Sequence, residues 1–276
     1  PRGGVSDDVS RELARRLALR GGVPVVVENR PGAGGTLALE RLARATPDGH
    51  TLCFSAIAPL TLAPALGHLP YDPVADIAPV VSVMHTPVLV MGTPALGVGS
   101  LHEALARAPA RAGGLRWATS GMGTTGHLVL EQVRRQAGAV VTHIPYSGGG
   151  RQLHDAIAGH FDLLSGNAAE PALGHVAEGR LWPLAVGAPA RLPALPAVPT
   201  LGELGFAQAN RSSEFAVFAP GRTPVHVLDK LNSDIRAVLT EPDMRQYLQQ
   251  ANHVPTGGER AELMATLEAE RALARH

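Results

Sequence analysis

Apolar residues recur along the chain in two patterns, one typical of amphipathic helices and one typical of buried strands. The first helix is predicted to begin at Ser6 or Asp7, because apolar residues repeat every four positions from Val9. Gly21 and Gly22 end that pattern. The rest of the chain alternates in the same way, with short apolar runs between longer amphipathic stretches.

Strands are predicted at residues 23–27, 51–55, 80–91, 115–118, 140–144, 161–164, 184–186 and 214–219. Helices are predicted at residues 36–45, 100–108, 152–158, 225–239, 244–248 and 261–274. A further helix carries Leu128, Val129 and Val133, and another runs through Val176. Ser100 with Glu103 and Thr200 with Glu203 have the spacing of a capping box, which marks a helix start. Strands separated by helices indicate an α/β fold with parallel sheets.

Two domains fit a chain of 276 residues. The last helices have no strands of their own, so we expect them to pack on the first domain. Lobe one is therefore predicted as residues 1–92 with 218–276, and lobe two as residues 93–217. The chain crosses between the lobes near residues 88–93 and 214–219, and two such crossovers are typical of a hinge.

Composition excludes several classes of protein. Aromatic residues make up only 4% of the chain, too few for a nucleic-acid stacking platform. Acidic and basic residues balance at 24 each, so no overall field attracts nucleic acid or anionic lipid. No apolar stretch reaches the length of a transmembrane helix, and the single cysteine, Cys53, lies in an apolar run typical of a core thiol.

Four turns rich in glycine or small residues precede predicted helices, at residues 1–7, 28–35, 119–125 and 146–150. None contains the Gly-Lys-Ser or Gly-Lys-Thr of a Walker loop. Residues 121–126 match G-x-G-x-x-G, but no acidic residue follows at the distance that a dinucleotide site requires. Helix N-termini attract anions without a cationic side chain, so these turns indicate a carboxylate site. Alternatively, the small residues only let helix and strand pack closely.

Catalytic and metal motifs are missing from the sequence, which contains neither G-x-S-x-G nor H-E-x-x-H. His127 lies one turn into a predicted helix, and His143 ends a predicted strand. Each histidine either fixes a loop by a hydrogen bond, or contacts a ligand or acts as a base, and no oriented partner for a base is visible in the sequence. We therefore predict a protein that is not an enzyme and has no cofactor and no metal.

Six motifs, in this order, resemble the Bug family, the TctC-like extracytoplasmic receptors of tripartite tricarboxylate transporters. They are ENRPGAGG, PDGHTL, TSGMGTTGHL, THIPYSGGG, LPAVPTLGELGF and FAPGRTP, and the likeness runs from residue 1 to about residue 271. The resemblance implies a two-lobed periplasmic binding protein of type II, a Venus-flytrap in which helices flank a mostly parallel sheet in each lobe.

The resemblance also implies a function. A monomeric periplasmic receptor would capture a small organic carboxylate in the cleft between its lobes and deliver it to the membrane permease subunits of a tripartite tricarboxylate transporter. A second hypothesis keeps the fold and makes the protein a ligand-sensing partner of a signalling receptor. A third makes it a hydrolase or dehydrogenase that depends on His127.

Ligand-binding residues are carried over from the family by motif. In lobe one they are Gly3, Gly4, Val5, Ser6, Asp7, Ser55, Ala56 and Ile57. In lobe two they are Ser120, Gly121, Gly123, Thr124, Thr125, His127, Tyr146, Gly148, Gly149, Gly150 and Asn167. The turn in ENRPGAGGT is a family marker and is expected to border the site rather than line it.

The sequence departs from the family pattern in three ways. Members begin with a signal peptide and a first strand, and neither precedes PRGGVSD here. That strand is expected between residues 23–27 and 51–55, so its neighbours would lack ladder partners. Thr124 replaces the usual serine, and Ser147 stands where lysine is common, which predicts a preference for less highly charged anions.

Overall fold

Helices and strands alternate along most of the chain, as the sequence pattern predicts. The computed structural model describes residues 3–110 and 113–274. In chain order its elements are α1 (Val5–Gly21), α2 (Thr36–Ala43), β1 (Cys53–Ala56), α3 (Ala58–Thr61), α4 (Ala63–Leu66), β2 (Ile77–Gly92), α5 (Leu101–Arg107), β3 (Leu115–Thr119), α6 (Thr125–Ala137), β4 (Val141–Pro145), α7 (Gly149–Ile157), β5 (Leu163–Asn167), α8 (Ala172–Ala177), β6 (Trp182–Gly187), β7 (Ser212–Pro220), α9 (Val225–Leu239), α10 (Pro242–Gln250), β8 (Val254–Pro255) and α11 (Arg260–Ala274). Short 3-10 turns occur at Ala33–Gly35, Ala108–Ala110 and Ala207–Ala209.

The chain divides into two compact units. Unit one is Pro1–Thr86 with Glu214–His276, and unit two is Pro87–Ser213. The chain passes from unit one to unit two within β2, and it returns at the start of β7. The lobe boundaries predicted at residues 92 and 217 lie a few positions later, because β2 is one continuous strand with no break at Thr86.

The sheet of unit one is built from distant parts of the chain. β1 pairs antiparallel with β7, which places Cys53 opposite Phe218, and β8 pairs antiparallel with the first half of β2. These pairings differ from the mostly parallel sheet predicted for lobe one. β1 pairs with β7, and the first half of β2 pairs with β8. Both partners come late in the chain, so a single βαβ crossover does not connect the paired strands.

Two apolar clusters cover the faces of this sheet. Helices α1, α9 and α10 contribute residues such as Val9, Leu228 and Leu248 to one cluster. Helices α2, α3 and α11 contribute residues such as Leu39 and Leu263 to the other. The late helices therefore pack with the first part of the chain.

The strand predicted at residues 23–27 is wrong for the structure described. This segment is extended but carries no strand pairing among the described residues, and Val23 and Val26 are 60% and 88% exposed. An apolar run becomes a strand only where a neighbour can pair with its N–H and C=O groups. The expected partner of this segment was a strand between it and residues 51–55, and β1 pairs only with β7 within the described residues.

Unit two contains the parallel strands. β3 lies between β4 and β5 and is parallel to both, whereas the second half of β2 is antiparallel to β5 and β6. Helices α5 and α6 pack on one face around Trp117, and α7 and α8 pack on the other around Phe161. The carboxyl ends of β3, β4 and β5 therefore meet at one edge of the sheet, from which α6 and α7 begin.

No helix among the described residues combines the length and the apolar composition that a membrane span requires.

Candidate functional site

The turn between β3 and α6 is closed by two threonine hydroxyls. Thr119 Oγ1 and Thr124 Oγ1 both donate to the carbonyl oxygen of Gly121, at 3.0 and 2.9 Å. Gly123 has a φ of +69°, a left-handed conformation that favours glycine. The turn is thus held by its own side chains and by a glycine that its backbone requires.

Helix α6 presents free donors to this turn. Thr124 is its N-cap, and Thr124 Oγ1 accepts from the N–H of His127 at 3.2 Å. Among the described residues, the N–H groups of Thr125 and Gly126 have no acceptor, and neither has the hydroxyl of Ser120. With 13 residues of aligned peptide dipoles behind them, these donors form a site suited to an anion.

Gly126 brings α6 close to β5. A Cβ atom at this position would lie 3.0 Å from the carbonyl oxygen of Ser165 and 3.1 Å from its Oγ. Ser165 Oγ donates to the carbonyl oxygen of Gly126 at 2.7 Å and accepts from Trp117 Nε1 at 3.2 Å. The third glycine of the G-x-G-x-x-G match therefore serves close packing of helix on strand.

His127 stabilises the turn between β3 and α6 by accepting a hydrogen bond from it. Its Nδ1 accepts from the N–H of Gly123 at 3.2 Å, and its ring is buried. The ring stacks on that of His143, with centroids 4.4 Å apart, and His143 Nε2 lies 2.8 Å from Thr119 Oγ1. Burial lowers the pKa of His127, which Glu131 partly opposes, and burial lowers the pKa of His143 to about 4. Both rings are therefore neutral near pH 7.

The second turn of unit two is fixed against the first. The N–H of Tyr146 donates to the carbonyl of Thr119, and the N–H of Gly148 donates to the carbonyl of Ser120, each at 2.9 Å. Helix α7 begins directly afterwards at Gly149. The N-termini of α6 and α7 therefore lie at the same edge of the sheet.

Tyr146 has no hydrogen-bond donor free for a ligand, because its N–H and its hydroxyl both bond within unit two. Its hydroxyl donates to Asp155 Oδ2 at 2.8 Å, and burial raises its pKa to about 12. Both of its donors are thus engaged within unit two. Asn167, which ends β5 opposite Val88, is only partly buried and lies at the same sheet edge.

The sequence motif did not reveal Gln152 or Ser165. The Nε2 of Gln152 on α7 donates to the carbonyls of Ala118 and Ser165 at 3.0 and 3.1 Å, which ties α7 to β3 and β5. Gln152 lies on an amphipathic helix with no local feature to mark it. Only the tertiary fold shows that it is buried at the base of the site.

Asp7 organises the first predicted turn of unit one, at residues 1–7. Pro1 and Arg2 of this turn lie outside the described residues. The buried Asp7 carboxylate accepts from the N–H of Gly3, from Asn29 Nδ2 and from Arg11 Nε, at 3.0, 3.0 and 2.8 Å. The Gly3 bond, with Arg11 and Asn29, lowers the pKa of Asp7 to about 2. Asp7 therefore carries a negative charge at the start of α1, and Asn29 joins ENRPGAGGT to this turn.

Ser55, Ala56 and Ile57 lie where β1 ends. The N–H of Ile57 donates to the carbonyl of Glu214 at 3.0 Å, and its side chain is in the core. Gly35 approaches Ser55 Oγ so closely that a Cβ atom there would be 3.3 Å away. The last glycine of ENRPGAGGT thus packs against the end of β1. The roles of the unit-one residues in binding stay predictions.

Redox and metal chemistry have no visible site in the described part of the chain. Cys53 is buried, and burial raises the pKa of its thiol to about 12. Within residues 3–110 and 113–274, no group of three or more His, Cys, Asp or Glu side chains is arranged to hold a metal.

Comparisons with known proteins identify relatives of this chain in sequence and in fold. Residues 9–273 match the model of the tripartite tricarboxylate transporter family receptor. Protein BugT of Bordetella pertussis is 36% identical over 242 residues, which cover 87% of this chain and 74% of BugT. The structure of MatC from Rhodopseudomonas palustris with bound malate matches with a TM-score of 0.92 at 28% identity, covering 100% of this chain and 95% of MatC. The periplasmic binding protein BugD matches with a TM-score of 0.92 at 26% identity, covering 100% of this chain and 92% of BugD.

Proposed function

The chain belongs to the tripartite tricarboxylate transporter family of receptors, and from that premise we propose that it binds a small organic carboxylate at the turn between β3 and α6. One observation carries the proposal. The N–H groups of Thr125 and Gly126 and the hydroxyl of Ser120 are free donors at one helix N-terminus, beside the N-terminus of α7. MatC, a relative of the same fold, holds malate.

Backbone groups and hydroxyls suffice for such a ligand. A micromolar Kd corresponds to about −8 kcal/mol, and a few charge-assisted hydrogen bonds with ordered waters supply a large part of it. Within the described residues, no lysine or arginine side chain hydrogen-bonds to residues 119–125, and Ser147 is exposed. We therefore expect mono- and dicarboxylates to bind better than tricarboxylates.

Residue roles follow from the donors that remain available. Ser120, Thr125 and the peptide N–H groups of α6 contact the carboxylate, with Gly149, Gly150 and Asn167 beside them. Thr124, His127 and Tyr146 hold the turns, since their polar atoms are engaged within the unit.

Periplasmic location and delivery to a membrane permease are part of the same proposal. BugD is a periplasmic binding protein, and the matching family serves tripartite tricarboxylate transporters. Uptake of a labelled ligand into cells should require both this protein and the permease subunits. Uptake that persists without the protein would contradict this role.

We also propose that the protein does not catalyse a reaction. His127 uses Nδ1 to accept from Gly123, and its Nε2 lies 3.9 Å from Glu131 Oε1, too far for an orienting hydrogen bond. No serine hydroxyl among the described residues hydrogen-bonds to a histidine ring. Carboxylates recovered chemically unchanged after incubation would agree with this proposal.

Calorimetry against straight-chain mono- and dicarboxylates, malate and a tricarboxylate tests the binding proposal. We expect at least one mono- or dicarboxylate to bind with micromolar affinity, and its neutral diamide to fail. Thr125→Val removes a hydroxyl at nearly constant shape and should weaken binding about tenfold, the effect of one hydrogen bond.

Thr266→Val, on the exposed face of α11, is the matched control and should leave the affinity unchanged. A folded protein that binds none of the carboxylates would contradict the proposed function.

A further inference from the structure

We propose that His127 is a positioning residue whose neutral Nδ1 holds the carboxylate-binding turn, so that adding a proton to the stacked His127–His143 pair weakens ligand binding. This inference rests on the proposed function, because it names a control on the same turn. His127 then acts through Gly123 and does not touch the ligand.

The hydrogen bond to Gly123 fixes the form of His127. A backbone N–H only donates, so the Nδ1 that faces it at 3.2 Å must carry a lone pair. His127 is therefore the neutral tautomer with its proton on Nε2. In the imidazolium both nitrogens donate, and Nδ1–H would face the N–H of Gly123 with no acceptor between them.

His143 shows the complementary arrangement. The hydroxyl of Thr119 donates to the carbonyl of Gly121, so its oxygen is free to accept from His143 Nε2–H at 2.8 Å. This bond survives protonation of His143, because the imidazolium keeps Nε2–H. A charge on His143 instead opposes a charge on His127, whose ring centroid is 4.4 Å away. The pair therefore binds a first proton weakly and a second proton more weakly still.

The charged surroundings of the pair are few. On α6, Glu131 Oε1 lies 3.9 Å from His127 Nε2, and Glu131 is itself paired with Arg134 at 2.6 Å. β3 contributes the uncharged Thr119 hydroxyl, and β4 contributes His143. Within the described residues, Glu131 and the other histidine of the pair are the titratable groups that act on each ring. Burial outweighs Glu131 and lowers the pKa of both rings below the ordinary His value.

Two effects of protonation have opposite signs. A cation near the site attracts a carboxylate, whereas loss of the Gly123 bond releases the turn that aligns the donors of α6. The second effect wins in this structure, because Gly123 lies inside the turn and His127 is the only described acceptor of its N–H. Linkage then requires that a bound carboxylate lowers the pKa of His127. Simple charge attraction would raise it.

The first measurement needs no ligand. Long-range ¹H–¹⁵N spectra of the full chain should show His127 with a bare Nδ1 and a protonated Nε2 at pH 7.5. The amide resonance of Gly123 should titrate together with His127 as the pH falls. A proton on Nδ1 at pH 7.5, or a Gly123 amide that ignores the titration of His127, would overturn the inference.

The second measurement is binding of the tightest carboxylate of the panel between pH 7.5 and 5. We expect affinity to fall as His127 titrates and the His127 pKa to drop when ligand is bound. His127→Ala should bind about tenfold more weakly at pH 7.5, because one hydrogen bond to the turn is lost. His127→Asn places an amide oxygen near the former Nδ1, so it should recover most of that loss and bind with a flat pH profile.

Two further variants separate the contributions. His143→Gln keeps an N–H donor for Thr119 and removes the second ring. The fall in affinity should therefore move to higher pH, because no charge on a second ring then opposes the proton on His127. His226→Asn, on the exposed start of α9, is the matched control and should retain the parent profile.

A rise in affinity on acidification, or a rise in the His127 pKa on binding, would contradict the inference. If no carboxylate binds at pH 7.5, the proposed function fails, while the tautomer and the Gly123 titration still decide whether His127 holds the turn.

Discussion

Glycine at the second residue of a helix has different consequences in α6 and α7. Gly126→Ala would place a methyl group 3.0 Å from the Ser165 carbonyl oxygen, which is closer than an ordinary van der Waals contact. Moving α6 away from β5 would also stretch the bond from Ser165 Oγ to the Gly126 carbonyl. We expect a loss of about 1–3 kcal/mol in the free energy of unfolding, measured by urea denaturation.

Gly150→Ala is the matched control. Gly150 is the second residue of α7, and a Cβ atom there has no neighbour within 4 Å. Replacing glycine by alanine in a helix with open space should be neutral or stabilise by about 0.5–1 kcal/mol. Equal effects of the two substitutions would contradict the close-packing role of Gly126.

His253 gives the stability of unit one a defined pH dependence. The ring is buried, its Nδ1 lies 3.0 Å from Thr86 Oγ1, and burial lowers its pKa from 6.5 to about 4. Between pH 6.5 and 4 the unfolded chain binds a proton that the folded protein does not, so stability rises with pH in this window. The contribution of His253 is complete above 6.5, and about 3 kcal/mol is lost on acidification to pH 4.

The comparison of wild type with His253→Asn isolates this effect. The substitution removes the titrating group, so the difference in unfolding free energy between the two proteins should shrink or reverse as the pH falls from 7 to 4. A difference that stays constant over this range would show that His253 is not buried in the neutral form.

Some residue roles were predictable from sequence and others were not. Ser100 accepts from the N–H of Glu103 and Thr124 from that of His127, and such caps are local in sequence. The engagement of Gln152 and the need for glycine at position 126 depend on β5, which is distant along the chain. A single sequence contains no signal for contacts of that kind.

At the scale of elements, Asp7 links α1 to the ENRPGAGGT turn through Gly3, Arg11 and Asn29. Asp7→Ala should cost about 1–3 kcal/mol in urea denaturation, because three hydrogen bonds to a buried, charged carboxylate are lost. Since the pKa of Asp7 is lowered to about 2, its stabilisation is present above the ordinary 3.8 and disappears as the pH falls from about 4 to 2.

Asp8→Ala is the matched control in the same helical turn. Asp8 is exposed and should change stability by no more than about 0.5 kcal/mol. A similar loss in both variants would mean that charge at the start of α1, rather than the specific bonds of Asp7, stabilises the helix.

Elements with a strong local pattern were predicted well. The bounds of α1, α9 and β2 agree with the sequence pattern to within a few residues. The strand at 23–27 failed because strand formation depends on a partner, which local sequence does not supply. The Thr200–Glu203 capping box forms both of its hydrogen bonds, at 3.0 and 2.7 Å, yet a turn follows it rather than a helix. Gly202 and Gly205 explain this, since glycine disfavours helix propagation.

At the scale of the whole molecule, unit two is one continuous segment with its own apolar clusters, whereas unit one is assembled from two segments. Two lobes were expected from the chain length, and the crossovers between them from the order of strands and helices. It placed the boundaries within β2 and β7, because long apolar strands give no local sign of where one unit ends.

Both tryptophans lie in unit two, so their fluorescence reports this unit alone. Trp117 is fully buried, and Trp182 is 41% exposed. Far-ultraviolet circular dichroism reports helices of both units. Because each unit has separate clusters, we expect urea unfolding curves from the two probes to have different midpoints. Gly126→Ala changes unit two and should shift the fluorescence midpoint most. Asp7→Ala changes unit one, so it should shift the dichroism curve and leave the fluorescence midpoint nearly unchanged. Coincident curves in the parent and in both variants would show instead that the units unfold as one cooperative structure.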